Sequence, residues 1–382
     1  MSQNYENIIR TFHPIGQGAF YSERHKDFNT VYDCGNRYNT SLGNKVVKQA
    51  FLKDEIIDIL FISHFDYDHV NKIKVLKEHT KIKRVIIPLL QPEEKALLVK
   101  IYRVLDFNIL TLIENPQKFF DEETQVTTIK KSNNYDQLVD DLKLVDIDDI
   151  GLELPSGSII SKKFKSYEWI YIPFNDEHQK RRERLETLLS SKYDVDRLKN
   201  DTSYSIEKTV ENRKSIRNIY NQLSGGINQN SMLVYSGMKD TQYYKCKQEV
   251  FHYNGLYKHF RLYNIFEDKK FYDTLSRYKH RVSCIYTGDT DLNVVKIKSI
   301  FQQYWNSVGT IQIPHHGDIK SFEKNVLDDK YYWCPISVGK NTYGHPSYNL
   351  ISEIMTQESF PILVTEELTS GFIEHIQICN NI

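Results

Sequence analysis

The chain has 382 residues, and its 50 Lys and Arg are balanced by 50 Asp and Glu, so the formal net charge is zero. That balance argues against broad electrostatic capture of DNA or of an anionic membrane. No apolar run approaches the roughly 20 residues of a membrane span, and the start Met1-Ser-Gln-Asn-Tyr-Glu-Asn7 lacks the parts of a signal peptide, so a soluble cytoplasmic protein is expected. In chain order, strands are predicted near Ile9 to His13 and Asn29 to Asp33, then a helix around Lys45 to Leu52. The isoleucine-rich run Glu55 to Ile62 reads as a buried strand, and Val70 to Glu78 as the helix after it. Arg84 to Pro88 (strand), Pro92 to Leu105 (helix) and Asn108 to Leu112 (strand) follow, and then two apolar runs between Gly157 and Pro173. Asp176 to Leu223 is highly charged, with Leu185, Leu188 and Leu189 at helical spacing. It reads as a helical insertion of two or three solvated helices, a face open to a protein partner. Gly225-Gly226 punctuates the return to strands at Met232 to Ser236, Val282 to Thr287, Thr310 to Ile313, Phe360 to Thr365 and Phe372 to Ile378. The five cysteines, Cys34, Cys246, Cys284, Cys334 and Cys379, are odd in number and form no CxxC pair, so they read as reduced thiols.

The loop between the Glu55 to Ile62 strand and its helix is Ser63-His-Phe-Asp-Tyr-Asp-His69, which carries four candidate metal ligands, His64, Asp66, Asp68 and His69. Loops at the carboxyl ends of strands are where α/β proteins place their chemistry. In a tight turn His64 and Asp66 can converge on one cation, while Asp68 and His69 point apart and can hold a second. Two ions so placed lower the pKa of a shared water to about 7 and clamp a substrate oxygen. Helix capping alone would need fewer such groups.

These residues resemble a family. His64-Phe-Asp-Tyr-Asp-His69 is similar to the HxDxDH variant of the metallo-β-lactamase HxHxDH signature, as found in the metallo-hydrolase domain of the competence protein ComEC and its soluble relatives. The similarity continues in order through His13-Pro-Ile-Gly-Gln-Gly-Ala19, Thr30-Val-Tyr-Asp-Cys-Gly35, Asn228-Gln-Asn-Ser-Met-Leu-Val234, Ile285-Tyr-Thr-Gly-Asp289, Ile313-Pro-His-His-Gly317 with Ser321, and Ile336-Ser-Val-Gly339 to Tyr343-Gly-His-Pro-Ser347. The resemblance implies an α/β fold, the αββα four-layer sandwich, as a single domain over 1–382 with insertions at 176–223 and 243–281. It implies that Asp289 bridges both ions and that His315 completes the second site, with His316 as the competing candidate. Asp33 would then accept a hydrogen bond from a ligand histidine. Where relatives carry a further histidine, this chain has Asn228, Asn230 and Ser231. Ala-Phe-Tyr after Gly18 also departs from the acidic residue usual there.

Replacing an imidazole by the Asp66 carboxylate hardens the site, so Mn²⁺ is expected first and Zn²⁺ next. The expected reaction is phosphodiester hydrolysis, with Asp68 and His345 as catalytic residues, and with Lys340, Ser321 and Asn230 near the substrate. A nuclease acting on DNA or RNA fits the signatures. It also fits the 243–281 stretch, where Lys245, Lys247, Lys258 and Arg261 alternate with Tyr244, Phe251, Tyr257 and Phe260, a pattern shared by single-strand-binding surfaces and by small lobes with inward aromatics. Two other classes stay open. One is a small-substrate hydrolase for a cyclic nucleotide, a phosphocholine-type ester, a lactone or a thioester. The other is a non-catalytic interaction module stabilised by its metal.

Overall fold

The structure is a computed structural model that describes residues 5–38, 41–132, 144–177, 179–223, 230–240, 244–252, 281–292, 294–328, 331–341 and 344–380. Strict alternation of buried side chains on the strands builds its layers. In Ile59–Phe61, Leu60 packs with the helices Ser41–Ala50, Ile73–His79 and Pro92–Leu105, while Ile59 and Phe61 face the opposite way. In Glu168–Glu177, Trp169 and Tyr171 meet Phe61 and Tyr32, whereas Ile170 and Ile172 pack towards Ile297, Phe301, Leu350 and Ile354 of the last helices. Period-two side chains thus give three apolar cores between four layers, helix, sheet, sheet, helix.

The first sheet runs in the order Glu153–Leu154, Gln125–Ile129, Arg84–Pro88, Ile59–Phe61, Asn29–Asn36, Gly18–Arg24, Glu6–Phe12, Phe372–Asn380, Tyr244–His252. The second runs Leu144–Asp146, Ile159–Lys163, Glu168–Glu177, Asn230–Met238, Ser283–Tyr286, Val308–Ile311, Trp333–Ser337, Phe360–Val364, with Lys131–Ser132 beside Glu168–Glu177. Each sheet has a parallel block, Asn29–Asn36 to Gln125–Ile129 in the first and Ser283–Tyr286 to Phe360–Val364 in the second. This is the α/β four-layer sandwich that the sequence led us to expect.

Several expectations change in detail. Asn108 to Leu112 is no strand: Leu110–Glu114 is helical, because Ile109, Leu112 and Ile113 bury one face in the outer helical core. The Glu55 to Ile62 run divides at Asp58, whose carboxylate takes the Asn29 amide at 2.9 Å, leaving Ile56–Ile57 to pair with Lys81–Ile82 in a separate ribbon. The charged 176–223 stretch forms three helices, Gln179–Ser190, Val195–Asn200 and Val210–Gln222. Leu185, Leu189, Leu198, Ile216 and Ile219 enter the core of the first helical layer, so only their outer faces are solvated. Tyr244–His252, the first part of the 243–281 stretch, is an edge strand paired with Phe372–Asn380. Residues 253–280 lie outside the described residues. All five cysteines are buried thiols. Among the described residues no helix is long and apolar enough to cross a membrane.

The inter-sheet core contains one buried charge network. Arg10 Nε donates to Glu23 Oε1 at 2.7 Å, and its Nη1 donates to Glu374 Oε2 at 2.8 Å and to the Val282 carbonyl at 3.2 Å. The second sheet answers with Ser236 Oγ and Tyr286 Oη donating to Glu23 (2.6 and 3.0 Å), and Thr310 Oγ1 donating to Glu374 (2.5 Å). Removing the cation strands two carboxylates in a dry core. Arg10→Ala is therefore expected to cost about 3–5 kcal/mol, read from the denaturant midpoint at neutral pH against wild type.

Candidate metal centre

The parallel blocks of both sheets end at one place. Asp33 lies in Asn29–Asn36, and Ser63 and His64 leave Ile59–Phe61. Asp289 follows Ser283–Tyr286, and His315 and His316 follow Val308–Ile311. The short helix Tyr67–Val70 seats Asp68 and His69 against the first sheet. Glycine makes that approach possible. A Cβ on Gly35 would lie 2.5 Å from the Asp68 carbonyl oxygen and 2.6 Å from the His69 carbonyl carbon, which is why the Asp-Cys-Gly segment ends as it does.

Two donor groups result. His64, His69 and Asp289 offer atoms all within 4.8 Å of one another, and so do Asp68, His69 and His316. Asp289 Oδ1 is 3.3 Å from His69 Nε2, and its Oδ2 is 3.7 Å from His64 Nε2 and 3.2 Å from His315 Nδ1. His64 Nε2 is also 3.7 Å from Asp66 Oδ2. His316 Nε2 stands 3.2 Å from Asp68 Oδ2. The two sequence candidates after the strand thus diverge: His316 joins Asp68 and His69, and His315 adjoins Asp289 and Asp291. Both sit in the left-handed region, at φ 50° and 54°, a strained pair that turns successive imidazoles in different directions.

The hydrogen bonds behind these rings fix their tautomers. His69 Nδ1–H donates to Asp33 Oδ2 at 2.8 Å. Ser63 Oγ gives its proton to the same oxygen at 2.6 Å and accepts from His64 Nδ1–H at 2.8 Å. His316 Nδ1–H donates to the Ser337 carbonyl at 2.8 Å. Every Nδ1 thus faces an acceptor, so every Nε2 is aimed at carboxylate oxygens, and buried His69 Nε2, 3.3 Å from Asp289 Oδ1, makes no well-aligned hydrogen bond. A cation, whether a proton on His69 or a metal ion, relieves that gathering of acceptors, and the mixed imidazole and carboxylate donors fit a divalent ion.

The titration shifts have the same origin. Burial, and then the charge of Asp68, push Asp66 up to about 7, against the hydrogen bond it accepts from Tyr102. Burial would also raise Asp289, but His315 and His69 hold it well below the usual carboxylate range. Burial opposes charge on His69, yet Asp289 and Asp33 drive it well above the imidazole range. A cluster that must borrow protons to neutralise itself is built for cations.

The remaining candidates lie further out. His345 is half-buried and is lowered by burial first, while it also feels Asp318, His316, His315 and Asp289, so it stands beside the cluster. Ser321 is buried, and its carbonyl takes the Leu292 amide just after the Asp289 turn. Lys340 is exposed, its amide bound to Glu366 at 3.2 Å. Asn230 opens the strand Asn230–Met238, but its side chain, like Asn228, lies outside the described residues. Sequence reasoning missed Ser63, Tyr102 and Ser337, and named Ser231 without its role of accepting the Asp289 amide. Ser63 directly precedes His64 and could have been suspected. Ser231 Oγ accepts the Asp289 amide at 3.1 Å, and Tyr102 reaches Asp66 from a distant helix.

The architecture and its motif loop define an α/β four-layer sandwich with a candidate centre for divalent metal. Residues 20–173 match the model of the metallo-beta-lactamase superfamily. No curated protein matches the chain. Among solved structures it is similar to the metallo-beta-lactamase fold protein YhfI from Bacillus subtilis, at 10% identity and TM-score 0.40 over 96% of this chain and 98% of that one. It is also similar to human tRNase Z, short form, at 7% identity and TM-score 0.38 over 94% and 92%.

Because Asp33 orients His69 directly and His64 through Ser63, Asp33→Ala should weaken divalent-ion binding by about 10–100-fold. Calorimetric titration of metal-free protein with Mn²⁺ and Zn²⁺ checks this. Ser63→Ala, which frees only His64, should lose less.

Proposed function

We propose that the chain is a metal-dependent phosphodiester hydrolase, most simply a nuclease acting on DNA or RNA. The observation that carries this reading is the pair of donor groups, His64, His69 and Asp289 beside Asp68, His69 and His316, at the carboxyl ends of parallel strands. In it, His64, Asp66, Asp68, His69, His316 and Asp289 would hold the divalent ions, and His315 steadies Asp289. Divalent ions held there, Mn²⁺ before Zn²⁺, supply acidity for an attacking water and positive charge opposite a phosphoryl oxygen.

The chain's own groups do the rest. Asp68, placed by His316 at 3.2 Å, would orient the attacking water. Burial lowers the His345 pKa, and an anionic phosphodiester beside it would favour the protonated ring, its proton drawn from solvent, as donor to the leaving oxygen. Lys340 adds positive charge at the rim. The ordered ComEC-like signatures and the basic and aromatic stretch 243–281 support a polymer substrate, and the charged outer face of 176–223 suits a protein partner. Zero net charge favours a second reading, a hydrolase of a small phosphodiester or of another ester.

The test is cleavage of linear and circular single- and double-stranded DNA, RNA and cyclic nucleotides with Mn²⁺, beside the Asp68→Ala/His69→Ala variant. Cutting of polymer that the variant loses entirely is the expected result, and binding should fall steeply with salt as several phosphate contacts are screened. Turnover of small esters alone, insensitive to salt, would replace the nuclease reading with the second one.

A further inference from the structure

We propose that Tyr102 is the positioning residue for Asp66, the group that decides how this carboxylate meets its ion. The inference rests on the two-ion reading above and names a residue that the motif loop does not contain. Tyr102 is fully buried, and its phenol O–H donates to Asp66 Oδ1 at 2.5 Å. That leaves Oδ2 as the oxygen turned towards His64 Nε2, 3.7 Å away. A carboxylate with one oxygen engaged by a neutral donor presents the other as a single ligand atom. Without that donor it can rotate, or present both oxygens to one ion.

The phenol can hold this post because its helix is fixed chiefly by elements outside the motif loop. Pro92–Leu105 begins with a capping box, Gln91 with Glu94, and Glu94 pairs with Lys131. Lys100, two residues before Tyr102, is buried against the carboxyl end of Val195–Asn200, donating to the carbonyls of Leu198 at 2.8 Å and Asp201 at 2.6 Å. Asp106 closes the helix and pairs with Lys208 at 3.0 Å and with Arg213. The charged helices therefore clamp the helix that carries Tyr102, and the ring of Tyr102 lies edge-on to Phe107, centroids 5.1 Å apart.

Tyr102→Phe removes one oxygen and keeps the ring, so it isolates the hydrogen bond. The experiment titrates metal-free protein with Mn²⁺ by calorimetry and follows the electron paramagnetic resonance signal of the bound ions. Wild type should take up two ions. Tyr102→Phe should bind one with unchanged affinity and the other at least about tenfold more weakly, and its signal from coupled Mn²⁺ should fade in step. Phe107→Leu, which disturbs the packing but spares the donor, should bind like wild type. Full two-ion affinity in Tyr102→Phe, or an equal loss in Phe107→Leu, would overturn the assignment and leave the metal centre standing. A wild type that takes up no Mn²⁺ would instead overturn the two-ion reading, and the assignment with it.

Discussion

The centre depends on one buried carboxylate. Asp33 has no solvent exposure and sits at φ 55°, where a non-glycine backbone is held against its preference. Its charge is matched by the Ser63 amide at 2.7 Å, the Ser63 hydroxyl and the His69 ring. Through those bonds one carboxylate sets the tautomer and direction of two imidazoles that are only 4.0 Å apart, centroid to centroid. Burial raises the Asp33 carboxyl, and its three partners resist that shift. The ionised form is the one they hold, because each of them donates.

Around that post, the fold acts as a frame with three apolar layers of filling. Each core is continuous, yet the polar centre lies where strand ends from both sheets come together, so the packing fixes the loops without occupying the site. Asp289 hangs on Ser231 of the neighbouring strand, His316 on Ser337 of another, and Asp66 on Tyr102 of an outer helix. The ligand candidates are thus referred to several different elements, and the centre is as rigid as the relative placement of the layers.

The motif loop was legible because its chemistry is local, with four candidate ligands in six residues. The strands Arg84–Pro88 and Phe360–Val364 and the helix Pro92–Leu105 were legible through composition and period. Leu110–Glu114 was not, since a five-residue apolar run carries no period that separates helix from strand, and burial of Leu112 and Ile113 decided it. The divergence of His315 and His316 was also hidden. It comes from two consecutive left-handed backbone conformations, which no spacing encodes. Tyr102 lay beyond reach for another reason: it stands 36 residues from its partner in sequence and meets it only because the helix packs on the sheet.

The strand Phe372–Asn380 lies between Glu6–Phe12 and Tyr244–His252, and Arg10 meets Glu374 across 364 residues of sequence. During synthesis, the first sheet therefore waits with two unpaired edges, and Arg10 waits without its second counter-ion, until the closing strand leaves the ribosome. Long-range closure of this kind makes folding slow, and open edges are sites of unwanted pairing between chains. Between emergence of the motif loop and arrival of Phe372–Asn380 those edges stand open, a vulnerability set by topology alone.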